Sequence, residues 1–544
     1  MEGCITTKLK IGLSFGIILL FILSAVAPIS QGYNVNISDN IEQYSIPSSK
    51  GNILYVGGSG EGNYTKIQDA IDNSYDGDTV FVFDDSSPYY EMLIINKSIK
   101  LIGEHMNTTV IDGNKKDISI TILNDDVTLS CLTIANNRRG DVGIYILSNN
   151  NTIIDIIVKN NSYYGILLEG SSYNYISGNR ILDSSGGIYL RSNDGKNSCN
   201  NSITCNNITN NLGKHGICLA HYNVGNIISD NNIVFSGGNG ILLSSHVKSN
   251  IITQNIVCNN NGVGIQAFMH SSNNIISDNI IENNEDDGIL LLDYCDNNFV
   301  SGNVVKNNNL DGRFEGGIAL FRSRNNIIIE NTVSENKDAG IYLYKSNYNI
   351  FYHNNILKNS DNIYCEGDTE NTWDNGYPSG GNFWDDYNGI DDDGDGIGDT
   401  PYPIHGGDNE DRYPLMYPTI NVPPDTPKIK GLFRGKPNVE YEFTFKAKDL
   451  NDDAIMYIID WGDGNIEWTA YSDSGVEFIL KHAWEEYGRY SIKAKAIDIH
   501  GTESDWGKLQ VNMPRNKAVT NPMLLRILER FPLLWRVVSR LNAR

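Results

Sequence analysis

Proline is scarce, 15 in 544 residues, which excludes a proline-rich stalk. Positive charge is short too: 42 Lys and Arg face 66 Asp and Glu, a net charge of -24 that argues against a nucleic-acid partner. None of the eight cysteines shows CxxC spacing, so a zinc site is not expected. Nine His and eight Met occur without clustering suited to copper. Charged residues make up only 20% of the chain and hydrophobic ones 40%, so it is not a disordered acidic tail. The length is ample for two to four domains.

What is abundant is asparagine: 71 residues, 48 of them between positions 141 and 380. Asn is disfavoured in helices and tolerates left-handed backbone, so short strands and many turns are expected there. Register turns this bias into a repeat. A Gly-Ile or equivalent step recurs at Gly143, Gly165, Gly187, Gly216, Gly240, Gly264, Gly288, Gly317 and Gly340, at intervals of 22 to 29 residues. Between the steps runs Asn-x-apolar-x-x-Asn-x-apolar. Its first Asn falls at 174, 201, 226, 250, 274, 298, 326 and 349, and its second at 179, 206, 231, 255, 279, 303, 331 and 354.

Runs this short suit strands, with alternate aliphatics such as Ile276, Ile281 and Leu291 pointing inward. A coil of about 23 residues closes as three strands and three turns, and stacking coils about 4.8 Å apart pairs each strand with its copy in the next coil. Stacked Asn amides suit the bends, and Gly suits a bend where a Cβ would crowd. The expected fold class is all-β: a right-handed parallel β-helix followed by a small Ig-like sandwich.

Residues 50–418 carry this solenoid. Near its start, Tyr64 to Asn73 places Ile67, Ala70 and Ile71 on one face, which predicts a short helix covering the first coil. The run Tyr64-Thr65-Lys66-Ile67-Gln68-Asp69-Ala70-Ile71, with Ile95-Asn96-Lys97-Ser98-Ile99 and Leu101-Ile102-Gly103-Glu104, resembles the NosD-like, CASH-type right-handed β-helix proteins. The resemblance implies the fold and is poor for function. Relatives of the NosD type are linked to copper-enzyme maturation, so it also implies an accessory role in that process as a lesser reading.

Asp391, Asp393, Asp395 and Asp399 occupy positions 1, 3, 5 and 9 of a calcium-type loop, with Gly396 at position 6 and the Ile397 carbonyl at position 7. Position 12 is Tyr402 rather than Glu, so the loop is not a full EF-hand. A structural calcium is expected, with a solvated acidic turn as the alternative. After the linker Pro423-Pro424-Asp425-Thr426-Pro427, residues 425–513 change to longer alternating strands. Trp461-Gly462-Asp463-Gly464, His482-Ala483-Trp484 and Tyr487-Gly488-Arg489-Tyr490 resemble a PKD domain, an Ig-like module of cell-surface proteins. In its Asp449, Asp452 and Asp453 a solvated turn is the plain reading, and a cation the other.

Residues 1–32 read as an export signal: Lys8 and Lys10 precede the apolar run Ile11 to Ala27, with cleavage sites after Ala27 or Gly32. Left uncut, the segment is an anchor. Residues 521–544 reverse the charge and pattern as an amphipathic helix interrupted near Pro532. Membrane contact is therefore expected through 11–27 and 521–544, though the tail could equally dock on the acidic body. With Cys4 in the signal, seven cysteines remain, an odd number, and are read as small apolar core residues.

No pectin-hydrolase or epimerase signature is present. One acidic patch stands out: Glu285, Asp286 and Asp287, then Asp311, Arg313 and Glu315 in the excess of a 29-residue coil. Carboxylates with an Arg suit proton abstraction from a uronate, and a solvated turn explains them equally well. A column four residues before the first Asn holds His246, His270, Tyr294, Arg322 and Lys345. His246 and His270, one coil apart, could share a ligand. The expected role is non-catalytic binding of glycans or cell-surface polymers, with a polysaccharide lyase, hydrolase or epimerase as the alternative.

Overall fold

The computed structural model describes residues 51–113, 118–135, 142–309, 316–367, 370–405, 409–419, 421–451, 453–499, 502–514 and 530. The export segment 1–32, the acidic-patch residues Asp311, Arg313 and Glu315, and the tail 521–544 apart from Arg530 lie outside them. The chain forms two units, Met1–Met416 and Tyr417–Arg544. Among the described residues no helix is long and apolar enough to cross a membrane.

One coil shows the plan of unit 1. Thr152–Ile154, Ile157–Lys159 and Tyr164–Glu169 are its three strands, and Tyr175–Ser177 opens the next coil. Equivalent strands pair in parallel, Ile153 on Ile176, Val158 on Ile181 and Ile166 on Ile188. Repetition builds three parallel sheets of 13, 12 and 12 strands, here called A, B and C in the order the coil visits them. The alternating aliphatics line the interior: Ile276 of A, Ile281 of B and Leu291 of C have no exposure. Burying one such side chain contributes about 2 kcal/mol relative to leaving it in water.

Both asparagine columns sit buried at corners, the first where the chain enters A and the second between A and B. Asn250 Nδ2 donates to Asn274 Oδ1 at 3.0 Å, and Asn255 Nδ2 to Asn279 Oδ1 at 3.0 Å. The same oxygens accept the backbone N–H of Asn250 and Asn255. Each buried amide therefore satisfies the bend as well as its neighbour. A third column, not read from the sequence, closes the corner between B and C, where Asn260, Asn284, Asn308, Asn336 and Asn359 bond in series at 2.9 to 3.3 Å. The recurring Gly marks close approach: a Cβ on Gly264 would lie 2.4 Å from Ile281 Cγ2 and 2.6 Å from the Gly288 carbonyl oxygen.

The first coil is covered by helix α1 (Ile67–Asn73), which buries Ile67, Ala70 and Ile71. Its orphan amides at Ile67 and Gln68 donate to the Glu91 carboxylate at 2.9 and 3.0 Å. Lys97 Nζ donates to the carbonyls of Ile71, Asp72 and Ser74 at the other end. At the far end Phe351 stacks on Trp373 at 4.3 Å, and Trp384 on Tyr402 at 4.5 Å. The second Asn column runs on through Asn382 and ends on buried Asp411, whose Oδ2 accepts the Asn382 amide at 2.7 Å and Trp384 Nε1 at 2.9 Å.

The cysteine expectation holds in part. Cys131, Cys199, Cys218, Cys258 and Cys295 are free thiols, but only Cys295 is fully packed in the interior of the solenoid. Cys218 packs on the outer face of C, and Cys131 and Cys205 take left-handed turn positions. Unit 2 has a three-stranded sheet, Lys428–Lys430, Tyr441–Lys446 and Phe478–His482, and a four-stranded one, Ile455–Asp460, Ile466–Trp468, Gly488–Asp498 and Gly507–Met513. All pairings are antiparallel, and Phe443, Phe445, Tyr457, Trp461 and Trp484 fill its core.

Candidate functional site

In the 391–399 loop, carboxylate oxygens of Asp391, Asp393 and Asp395 lie within 4.8 Å of one another. Asp391 accepts the amides of Gly394, Asp395 and Gly396 at 2.7, 3.2 and 2.9 Å. Those amides, Gly396 foremost, hold its carboxyl below the usual range. The Asp395 amide pulls Asp393 down, but slight desolvation and the charges of Asp395, Asp399 and Asp391 together hold it above its usual value. Asp399 accepts the Asp392 amide at 2.7 Å, and Ile397 is buried in a bridge to Leu415. The loop is thus tied to the end of the solenoid, and its all-oxygen donor set fits a hard cation such as calcium.

The acidic patch is described only in its first half. Asp287 is wholly buried and its Oδ1 accepts the Gly316 amide of the next coil at 2.8 Å. Asp286 Oδ1 accepts the Asp287 amide at 3.2 Å. His246 and His270 stack at 5.1 Å, and His270 and Tyr294 at 5.2 Å. Tyr222, overlooked in the sequence, extends the stack onto His246 at 4.9 Å. Desolvation, then the neighbouring charges of His270 and Lys248, hold the His246 imidazole below its ordinary pKa. Arg322 leaves the stack: its guanidinium bonds Asp293 at 2.9 Å and lies 5.9 Å from the Tyr344 ring. Lys345 Nζ lies 4.9 Å from that same ring. Since coil-to-coil stacking covers the ring faces, the column presents edges to a ligand.

Beside this column runs the outer face of sheet C. The family description matching residues 105–247 is a right handed beta helix region, and that matching residues 221–389 is the periplasmic copper-binding protein NosD. The long unit is a right-handed β-helix. No curated protein matches the chain. Among solved structures, the PKD domain of an M14-like peptidase from Thermoplasmatales archaeon SCGC AB-540-F20 is 43% identical, over 18% of this chain and 100% of that one, with a TM-score of 0.18. The A-module of the Azotobacter vinelandii mannuronan C-5 epimerase AlgE6 is 16% identical, over 56% and 92%, with a TM-score of 0.42. The DFA-IIIase of Arthrobacter chlorophenolicus A6 is 12% identical, over 58% and 85%, with a TM-score of 0.40.

On the outer face of the β-helix one column reads Tyr145, Leu167, Tyr189, Cys218, Leu242, Gln266, Leu290, Ala319, Tyr342 and Tyr364 in strand register. At its first end Tyr164 packs against Tyr163 at 5.0 Å and Tyr189 at 4.9 Å, with Lys214 Nζ 5.0 Å from the Tyr163 ring. Glu169, whose side chain is only 8% exposed, bonds the Arg191 guanidinium at 2.9 Å and the Tyr145 hydroxyl. Burial lowers the Arg191 pKa, but the Glu169 bond outweighs it and leaves a firmly charged guanidinium. Burial pushes the Tyr189 phenol up to about 12 and the Cys218 thiol up to about 12, so both stay neutral. At the other end Phe321, Tyr342 and Tyr364 stack at 5.2 and 5.6 Å, and the Tyr342 hydroxyl donates to Glu366 at 3.0 Å. The sequence signal for this face was the residue after each Gly-Ile step.

Proposed function

We propose that this protein is an exported surface β-helix that binds extended polysaccharides along the outer face of sheet C without turning them over. The observation that carries this reading is the pair of ring clusters on one straight strip. Tyr189 and Tyr342 are six coil steps apart, about 29 Å at 4.8 Å per step. Aromatic rings with adjacent charged groups suit sugars, which offer apolar C–H faces and hydroxyl rims. The 391–399 loop, with Asp391, Asp393, Asp395, Asp399 and the Ile397 carbonyl, holds a structural calcium that closes the last coil. Unit 2 is a PKD spacer, and segments 11–27 and 521–544 supply membrane contact.

A second reading rests on Glu169: a carboxylate so buried on an outward face, bonded to a phenol and a guanidinium, is suited to acid–base chemistry on a sugar. Binding to glycan arrays, together with hydrolase and lyase assays on uronic-acid polymers, separates the two. Binding lost at least tenfold in Tyr189→Ala and Tyr342→Ala, without turnover, supports the first. Turnover abolished by Glu169→Gln or Asp287→Ala replaces it with the second.

A further inference from the structure

Asparagine followed by any residue except proline, and then by Ser or Thr, is the acceptor tripeptide for N-linked glycans. In a chain this rich in Asn such tripeptides should recur throughout, and they do not. Of the 25 Asn in residues 1–209, eight start one. Of the 46 Asn that follow, none does. A random scatter would not leave the larger set empty. Ladder Asn are excluded in both halves, because the residue two places on is the inward aliphatic, as Ile153 is for Asn151 and Ile252 for Asn250.

Six of the eight are held where a glycan fits. Asn36 lies outside the described residues, and Asn63 donates its side-chain amide to the Gly57 carbonyl at 2.6 Å. Asn96, Asn107, Asn150, Asn160, Asn200 and Asn207 are all exposed. Asn96, Asn150 and Asn200 sit at the corner entering sheet A, Asn107 between A and B, Asn160 between B and C, and Asn207 opens a strand of B. None lies on a strand of sheet C.

Asn150 and Asn200 show what the later coils lack. Each is a left-handed bend residue, φ 58° and 54°, before a buried ladder Asn, and the strand of A then opens on an outward hydroxyl, Thr152 or Ser202. Asn273, Asn297 and Asn325 occupy the same bend, φ 57°, 59° and 55°, before ladder residues Asn274, Asn298 and Asn326. Their strands open instead on Ile275, Phe299 and Ile327, which stand in the register column of Ser202.

We propose that Asn96, Asn107, Asn150, Asn160, Asn200 and Asn207 carry N-linked glycans and that the coils after residue 209 stay bare, a proposal that rests on the export reading. The donor is a lipid-phosphate-linked oligosaccharide, and a transferase of the export membrane catalyses the step. Asn Nδ2 forms a bond to the anomeric carbon of the first sugar and gives up one proton to solvent. The bond from that carbon to the phosphate oxygen breaks, and the lipid phosphate leaves with the electron pair. Glycans so placed flank the first coils without crossing the outer face of sheet C.

The full chain is purified from the cells that make it, its location is recorded, and its glycopeptides are mapped by mass spectrometry. Glycan masses on these Asn are expected, with none on peptides beyond residue 209. Ser202→Ala should remove the glycan of Asn200 while keeping that Asn, and Ile275→Thr should add one at Asn273. Both positions are half-buried and point outward, so neither change reaches the interior. An exported chain with all six sites bare, or an Asn200 glycan unaltered in Ser202→Ala, overturns the proposal alone. A chain retained inside the cell overturns the export reading and this one with it. A bare Asn273 in Ile275→Thr, with the natural sites filled, overturns the account of the later coils.

Discussion

Replacing Asn279 with Ala tests whether the asparagine columns hold the β-helix together or merely occupy its corners. The Asn279 oxygen accepts the Asn255 backbone N–H and Asn255 Nδ2, both at 3.0 Å. Its Nδ2 donates to the carbonyls of Ile252 and Ser277 and to Asn303 Oδ1, at 3.0, 2.9 and 2.9 Å. At about 1 kcal/mol net per bond the five sum to about 5 kcal/mol. Several groups keep a second partner: Ser277 still receives the Gln254 amide, Asn303 Oδ1 the Asn279 amide, and Asn255 Nδ2 the carbonyls of Ile228 and Thr253. Discounting these leaves a cost of about 3 kcal/mol, carried mainly by the stranded Asn255 amide. Denaturant unfolding measures the loss, and hydrogen exchange should show the Asn255 amide losing protection. Asn261→Ala, exposed in a bend, is the control and should change stability by less than about 0.5 kcal/mol. If Asn279→Ala costs no more than this control, the ladder is ornament and the reasoning fails.

Gly264→Ala should cost about 2 kcal/mol in the same experiment, because its Cβ meets Ile281 and a carbonyl oxygen at 2.4 and 2.6 Å. Burial pushes the Asp411 carboxyl up to about 6 from an ordinary value near 3.8, against the amides and the indole that bond it. The folded state then binds the proton more tightly than the unfolded one. The associated stability is full below pH about 4, is lost as pH rises to about 6, and amounts to about 3 kcal/mol. Melting followed against pH should show this fall, and Asp411→Asn should flatten it; an unchanged slope refutes the assignment. Chelation should lower the melting temperature of unit 1, and Asp393→Asn should abolish that response; a melt indifferent to chelator removes calcium from the loop.

Legibility followed repetition. The two Asn columns and the inward aliphatics were readable because their spacing within each coil is constant, and a buried position tolerates few residue types. The third column escaped notice because Ser184 and Ser236 take the place of Asn in earlier coils. The outer face of sheet C escaped for the opposite reason: Tyr, Leu, Cys, Gln and Ala occupy the equivalent position in successive coils, so no single residue type marks the column. Arg322 shows the limit of counting, since equal distance from the ladder Asn did not place it on the Tyr294 ring.

The amide column that ends on Asp411 has a direction. Each side-chain amide along it sends a bond forward to the Asn oxygen of the next coil, as well as one back to a carbonyl of the coil before, so each coil offers a donor to whatever follows. The carboxylate is the acceptor with which this polarity stops, and Trp384 and Asn382 are spent on it. A chain cut after Ser379 would leave Asn354 offering its donor to empty space above three open strand ends. Such a fragment should add further copies at that end alone, growing as a filament with a head and a tail, while the end under α1 stays closed by Glu91 and Lys97.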